Sequence, residues 1–397
     1  MPKPGKNQED IQALNRMQVI RMLHRMRTCS RAELARQTGL TKASITGIVH
    51  QLIEAGVVRE EGFLEDGKAG RRSMGLSLCT DQYLCIGLRL TRRRIRAGLF
   101  DIGGEICTAT QRVLSRDACA MDALNLMKEA VDELIQSAGQ RRVLGIGIAA
   151  PGPILIQEGK NAYMSAFPGW ESISIPQELE KAFGIPARLE HDGVCYALTE
   201  WWNRAPGDEP HLLLCILAGQ GIGAGILMDG VPVRGALGCA GEIGHMSIRA
   251  DGPRCDCGNF GCLENYVSAL ALERELEAVG ESLSAEAILL RVRQGDENAG
   301  AIFRRQARDL GYGVVNLVNL LNPDHIVITD ELAACSDLLF SEIDTVLRTR
   351  ISSRIYEKLR LTVRPDSPFR PLQAAASLIT DRFLSDPAFV MQHTKGE

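Results

Sequence analysis

Residues Gly238 to Glu264 read GCAGEIGHMSIRADGPRCDCGNFGCLE. One imidazole, His245, and three thiols, Cys255, Cys257 and Cys262, make up the ligand set of a closed tetrahedral zinc site. The C-x-C pair and the third cysteine flank a turn, Gly258-Asn259-Phe260-Gly261, whose glycines let the backbone fold back and aim the sulfurs at one ion. Four protein ligands leave no open position for a catalytic water, so the expected Zn2+ is structural. Two carboxylates, Glu242 and Glu264, flank the set and stay free to bind something else on the platform the metal builds.

The surrounding chain is that of an ordinary globular protein. Its 397 residues are 45% hydrophobic and 24% charged, which suffices for two or three domains with ample core. No run of eighteen apolar residues appears, and the first residues lack the apolar stretch of a signal peptide, so a cytoplasmic protein with no membrane contact is expected. Of the 12 cysteines, Cys85, Cys195 and Cys215 lie in apolar stretches, where a reduced thiol acts as a small hydrophobe. Charge is unevenly spread: residues 1–80 carry 13 Lys and Arg against 8 Asp and Glu, a net of +5, within a chain of net −4. A basic head on an acidic body implies a polyanionic partner for the head alone.

The head, residues 1–80, has the pattern of a winged helix-turn-helix. Residues 11–28 place Leu14, Met17, Ile20, Met22 and Leu23 at helical spacing among Arg16, Arg21, Arg25 and Arg27. Ser30 precedes Glu33 by three residues, the capping-box arrangement, and opens a short helix, Arg31 to Thr38, that Gly39 closes. Thr41 is a natural N-cap for a helix from Lys42 to Glu54, with Ile45, Ile48, Val49, Leu52 and Ile53 on one stripe. A strand at Val57-Val58-Arg59, a polar loop from Glu60 to Ala69 and a strand from Met74 to Leu78 complete a wing that carries Arg71 and Arg72. Thr41, Lys42, Ser44, Thr46, Arg71 and Arg72 are the candidate contacts to operator DNA; a solvated helix face is the bland alternative.

From Tyr83 onward one order of elements occurs twice. Strands at Leu84–Leu90, Ile95–Phe100 and Glu105–Thr110 are followed by helix, strand, helix, strand and helix, ending at Trp202. Strands from His211, Gly223 and Val231 then begin a second set that includes helices through Asn265–Leu276 and Ala301–Leu321, a strand at His325–Thr329 and a closing helix after Pro371. The reading is an α/β body, 81–397, with two related lobes at about 81–205 and 206–397, the second carrying the zinc insertion 236–264.

The stretches Ala150-Pro-Gly-Pro153, Glu190-His-Asp-Gly-Val194, Gly219-Gln-Gly-Ile-Gly-Ala-Gly225, Gly241-Glu-Ile-Gly-His245 and Cys255 to Glu264 resemble the ROK family of repressors, open reading frames and kinases. The resemblance covers nearly the whole chain and implies an actin-like ATPase fold. Its repressor branch, which includes xylose repressors, carries an N-terminal winged helix. It also implies that Asp192, Glu242, His245 and Glu264 form the sugar site, with Asp192 as general base wherever kinase activity remains.

Other positions depart from the family's kinases. Where those open with a D-x-G-G-T-like turn that holds magnesium and phosphate, this chain has Arg89-Leu-Thr-Arg-Arg-Arg94. A guanidinium replaces the carboxylate and bulky side chains fill the space of glycines. Gln220 stands for a usual Thr, and Asp330-Glu331 for a Gly-Gly. On the sugar side His191 replaces a usual Asn, and the Asn that commonly precedes Pro168-Gly169-Trp170 is missing. Asp101-Ile102-Gly103-Gly104 mimics the lost motif one hairpin too late and reads as a turn. The expectation is therefore a non-enzymatic, sugar-responsive repressor, acting as a homodimer or dimer of dimers and released from its operator by a sugar or sugar phosphate. A sugar kinase, alone or joined to DNA binding, is the alternative, and a body that docks another protein is a third.

Overall fold

Leu23, Leu34, Ile45, Val49 and Leu52 are fully or almost fully buried, because the helices that carry them pack their apolar stripes against one another. The computed structural model describes residues 8–64, 73–91, 94–115, 118–156, 158–161, 169–170, 173–204, 207–365, 367 and 369–385. The head comprises α1 (Gln8–Met26), β1 (Thr28–Ser30), α2 (Arg31–Thr38), α3 (Lys42–Glu54), β2 (Val58–Leu64) and β3 (Ser73–Leu78). The Ser30 hydroxyl accepts the Glu33 N–H at 3.2 Å, and Gly39 ends α2 at φ 71°. The expected capping box is only half made, since the Glu33 carboxylate pairs with Arg36 and Gln37 instead. Thr41 caps α3 by accepting the Ser44 N–H at 3.1 Å.

The wing is larger than expected. Strand β2 runs to Leu64, into the segment read as loop, and the unforeseen β1 joins the sheet in the order β1-β3-β2. Three residues are too short for a periodicity signal, so only the pairing with β3 defines β1. Arg71 and Arg72 lie outside the described residues.

The body repeats one topology. The first sheet is built from β4 (Tyr83–Leu90), β5 (Arg94–Asp101), β6 (Ile106–Val113), β7 (Arg142–Ala150) and β10 (Ala187–His191), in the order β10-β7-β4-β5-β6. Its helices are α4 (Ala120–Ala138), α5 (Ile175–Phe183) and α6 (Asp192–Trp202), and a small ribbon pairs β8 (Ile154–Leu155) with β9 (Lys160–Asn161). The second sheet is β13 (Val231–Pro232), β12 (Ile222–Met228), β11 (Leu212–Ala218), β14 (His325–Thr329) and β15 (Arg360–Val363), in that order. In each sheet three antiparallel strands are continued by two parallel ones. Helices α7 (Ala269–Glu277), α8 (Ala285–Arg293), α9 (Glu297–Leu321), α10 (Ser336–Arg350) and α11 (Ser353–Tyr356) belong to the second half. The repeat was legible in the sequence, whereas α8, α10, α11 and β15 were not.

The closing helix α12 (Arg370–Ser385) corrects the division of the lobes at 206. It comes last in the chain but packs against β4, β7 and α6 of the first sheet. Gly87 and Gly147 make this possible, because a Cβ at those positions would lie 2.0 Å from the Leu372 carbonyl oxygen and 1.9 Å from that of Ala375. Only glycine lets a helix backbone lie this close to a strand.

Head and body share one core. Val19, Ile20 and Leu23 of α1 belong to the same buried cluster as Ile102, Trp202 and Phe383. Arg21 and Arg25 of α1 stand over the Trp202 ring, 5.3 and 5.7 Å from its centroid, and Arg25 pairs with Glu209. Two of the basic residues that made the head look like a polyanion binder are thus spent on the body. The turn Asp101-Ile102-Gly103-Gly104 is part of the same seat, since the Ile102 carbonyl accepts from His24 Nε2 at 3.1 Å.

His24 gives this seam a pH dependence. Burial, then repulsion from Arg27 and Arg25, pushes its imidazole down to about 4 against the hydrogen bond to Ile102. The folded state therefore holds the neutral ring, and its contribution is complete above the ordinary value of 6.5 and lost as pH falls toward 4. The loss expected is about 3 kcal/mol over that window. Melting curves of the wild type between pH 7 and 4 should fall more steeply than those of His24→Gln, which keeps a donor and cannot titrate; parallel curves would remove His24 from the account.

Candidate functional site

The metal cluster rests on tight turns rather than on long elements. His245 ends a 3-10 turn, Ile243–His245, and Cys262 immediately precedes a second, Leu263–Asn265. Isolated antiparallel bridges join Ser247 to Cys262 and Arg254 to Phe260. The Asn259 amide donates to the His245 carbonyl and to the Ser247 hydroxyl, both at 3.1 Å. The four ligand atoms of His245, Cys255, Cys257 and Cys262 lie within 4.8 Å of one another. Cys257 Sγ is 3.7 Å from Cys262 Sγ, and Cys255 Sγ is 3.7 Å from His245 Nδ1. Metal–sulfur bonds of about 2.3 Å in a tetrahedron separate two sulfurs by about 3.8 Å, while a disulfide needs about 2.05 Å. The donors fit a tetrahedral metal ion.

The same turns aim the carboxylates. Glu242 directly precedes the first turn and Glu264 lies within the second, so each stands two or three residues from a ligand. Both line a cavity of about 1570 Å³ between the lobes, together with Asp192, His191, His245 and Arg89. His245 turns Nδ1 toward Cys255 while its ring borders the cavity. Glu264 is fixed by accepting the Ile222 N–H at 3.0 Å. Burial pushes the Glu242 carboxyl above its ordinary value, with His191 and His245 opposing and Asp192 and Glu264 reinforcing.

Asp192 is the first residue of α6, and the cap before it is His191, not Asp192 itself. His191 Nδ1 accepts the Gly193 N–H at 3.2 Å, which leaves the proton of the neutral ring on Nε2. That nitrogen lies 3.7 Å from Asp192 Oδ1 and 3.7 Å from Glu242 Oε1. The gaps exceed a direct hydrogen bond, and a hydroxyl or water seated beside the three groups could bond to them together. One donor facing two carboxylates, those of Asp192 and Glu242, is an arrangement able to hold a hydroxyl, and His191, a departure from the family pattern, supplies that donor.

On the far side of Asp192 from His191, two positions that depart from the family pattern, Arg89 and Asp330, meet. Arg89 Nη2 donates to Asp330 Oδ2 at 2.8 Å and lies 3.8 Å from Asp192 Oδ2. Burial, reinforced by Asp330, pushes the neighbouring Glu331 up to about 7. Arg94 lines the same cavity, while Arg92 and Arg93 lie outside the described residues.

On the head, Thr41, Lys42, Ser44 and Thr46 are all exposed at the start of α3. Thr41 caps the helix and shares a 2.9 Å hydrogen bond with the Ser44 hydroxyl, and Thr46 donates to the Lys42 carbonyl at 2.9 Å, so Lys42 has the greatest reach. Trp202, the seat of α1, was not singled out by the sequence reading. Its only signal was an aromatic pair ending a helix that begins at a candidate ligand residue.

A family model described as ROK family matches residues 85–382, and one described as MarR family matches residues 11–69. The chain is 27% identical over 400 residues to the N-acetylglucosamine repressor of Escherichia coli O6:H1, covering 98% of this chain and 97% of that protein. The crystal structure of a ROK family transcriptional regulator, a homologue of the E. coli MLC protein, superposes with a TM-score of 0.82 at 27% identity, over 97% of this chain and 100% of that one. A ROK hexokinase from Thermus thermophilus superposes with a TM-score of 0.59 at 29% identity, over 75% of this chain and 97% of its own. A DNA-binding head of helix-turn-helix type thus precedes a kinase-like body whose family model spans most of the sequence, and the chain belongs to the ROK family.

Proposed function

We propose that this protein is a sugar-responsive, DNA-binding transcriptional regulator of repressor type, in which the body senses a sugar or sugar phosphate and the head binds operator DNA. The observation that carries the reading is the course of α6. Its first residue, Asp192, borders the cavity, and its last, Trp202, seats Arg21 and Arg25 of α1. Eleven helical residues span about 15 Å, so a rigid rod links the ligand cleft to the head. Relatives named as repressors support the same reading.

Asp192, Glu242, His245 and Glu264, joined by His191, hold the sugar hydroxyls. A Zn2+ ion on His245, Cys255, Cys257 and Cys262 would supply only a fixed frame for Glu242 and Glu264, since all four positions are taken by protein. Lys42 meets the major groove, with Thr41, Ser44 and Thr46 at the same helix start; Arg71 and Arg72, outside the described residues, are the wing's candidate contacts. Half-sites of operators are read about one helical turn apart, so a homodimer or dimer of dimers is the working assembly, and the cytoplasm is its place. No helix among the described residues is long and apolar enough to cross a membrane. A sugar favours release only by binding better to the DNA-incompetent arrangement.

Kinase activity is absent in this reading. Asp192 is fit to take a hydroxyl proton, but the buried pair of Arg89 and Asp330 occupies the phosphate end. A coupled ADP-release assay with D-xylose, D-glucose, N-acetylglucosamine and their phosphates should stay at background, while at least one of these raises the melting temperature. Magnesium-dependent turnover would make the protein a kinase, and no stabilisation by any sugar would leave the cleft without its proposed ligand.

A further inference from the structure

The two altered phosphate positions form a single contact. Arg89 belongs to β4 of the first lobe and Asp330 follows β14 of the second. Their 2.8 Å bond crosses the cleft with side chains only 13% and 9% exposed. The other arm of the guanidinium, Nη1, donates to the Tyr196 hydroxyl at 3.3 Å, and the group stands 5.7 Å from that ring's centroid. Asp192 faces the same guanidinium at 3.8 Å.

Two further features serve this contact. Asp330 has φ 78° and ψ −160°, a conformation natural to glycine and strained for any residue with a Cβ. Such strain persists only where the surroundings hold it. Opposite it, Gly219 leaves the carboxylate its space, since a Cβ there would lie 2.5 Å from Asp330 Oδ2. The backbone is bent and a neighbour is emptied to bring one carboxylate onto Arg89.

We propose that Arg89 and Asp330 form an internal strut that stands where a nucleotide's phosphates and their metal would sit, tying the lobes together and holding Asp192 toward the ligand. Both are positioning residues, acting on the sugar through Asp192, and the inference rests on the reading of the cleft as a sugar site. Sugar binding then needs no nucleotide, because the protein carries its own cross-lobe bridge.

The test uses the full-length protein. Arg89→Met, Asp330→Asn and the double variant are melted and titrated with whichever of D-xylose, D-glucose, N-acetylglucosamine and their phosphates stabilises the wild type most. Each single variant should bind that sugar about tenfold more weakly. The double variant should be no weaker than the worse single, since its second change removes a partner already orphaned. Asp330→Gly relieves the backbone while removing the strut, so it should melt no lower than Asp330→Asn yet lose the same affinity. A merely structural pair would lower melting without touching sugar affinity. A non-hydrolysable ATP analogue with magnesium should bind Arg89→Asp/Asp330→Gly at millimolar concentration or below and fail to bind the wild type. Additive losses, unchanged affinity in Arg89→Met, or analogue binding to the wild type would overturn the proposal. Should no sugar stabilise the wild type, the sugar reading has failed and melting alone decides: equal drops in singles and double support the strut, and additive drops refute it.

Discussion

Glu242→Ala should bind inducing sugar between about tenfold and a hundredfold more weakly than the wild type, while its operator affinity without sugar stays within about twofold. The first part follows from what the carboxylate does. Glu242 is partly buried at the cavity wall, 3.7 Å from the His191 proton donor. A ligand hydroxyl placed there loses a charged acceptor when the side chain ends at Cβ. Hydrogen bonds to charged groups contribute about 1.5–3 kcal/mol, which converts to the stated range. The second part follows from position, since Glu242 precedes a turn of the second lobe and the head is seated on Trp202, Ile102 and α12. Fluorescence anisotropy of a labelled operator, with and without sugar, reads both numbers. Equal induction of variant and wild type would remove Glu242 from the site.

Loss of the metal should be more damaging still. Chelation, or Cys262→Ser, is expected to lower the melting temperature by about 5 °C or more and to weaken sugar binding at least about a hundredfold. Structural zinc in small sites is worth about 10–16 kcal/mol, and the ion proposed here would frame turns that carry both carboxylates proposed for the sugar. Glu264 stands two residues beyond Cys262 and Glu242 three before His245, so neither keeps its aim when the turns relax. Unliganded operator binding should survive, because the cluster of α1, Trp202 and α12 contains no metal ligand. Cys107→Ser, at an exposed cysteine outside the cluster, serves as control and should change nothing. Metal content should be one ion per chain in the wild type and near zero in Cys262→Ser; an unchanged melting curve in a metal-free protein would contradict the platform role.

The clustering of His245, Cys255, Cys257 and Cys262 was legible because its signal is chemical: four donor residues at fixed spacing say more than any periodicity. The doubled order of strands and helices was legible for the same kind of reason, with long runs such as Leu212–Ala218 marking buried strands. What escaped were relations across the chain. β1 is defined by its partner β3 alone, and α12 returns to the first lobe because Gly87 and Gly147 open a surface 225 or more positions away from their contacts at Leu372 and Ala375. The arginines of α1 looked the same in sequence whether they faced DNA or Trp202. Arg89 and Asp330 stand 241 positions apart, and only the fold brings them to a 2.8 Å contact.

A sugar in this cleft is expected to act on the head with no help from a nucleotide. Operator anisotropy of the wild-type protein, titrated with the sugar that stabilises it most and with magnesium and nucleotide strictly excluded, tests it most directly. Operator affinity should fall at least about tenfold as sugar saturates. An operator affinity that stays constant under saturating sugar, or that falls only after ATP and magnesium are restored, would contradict it.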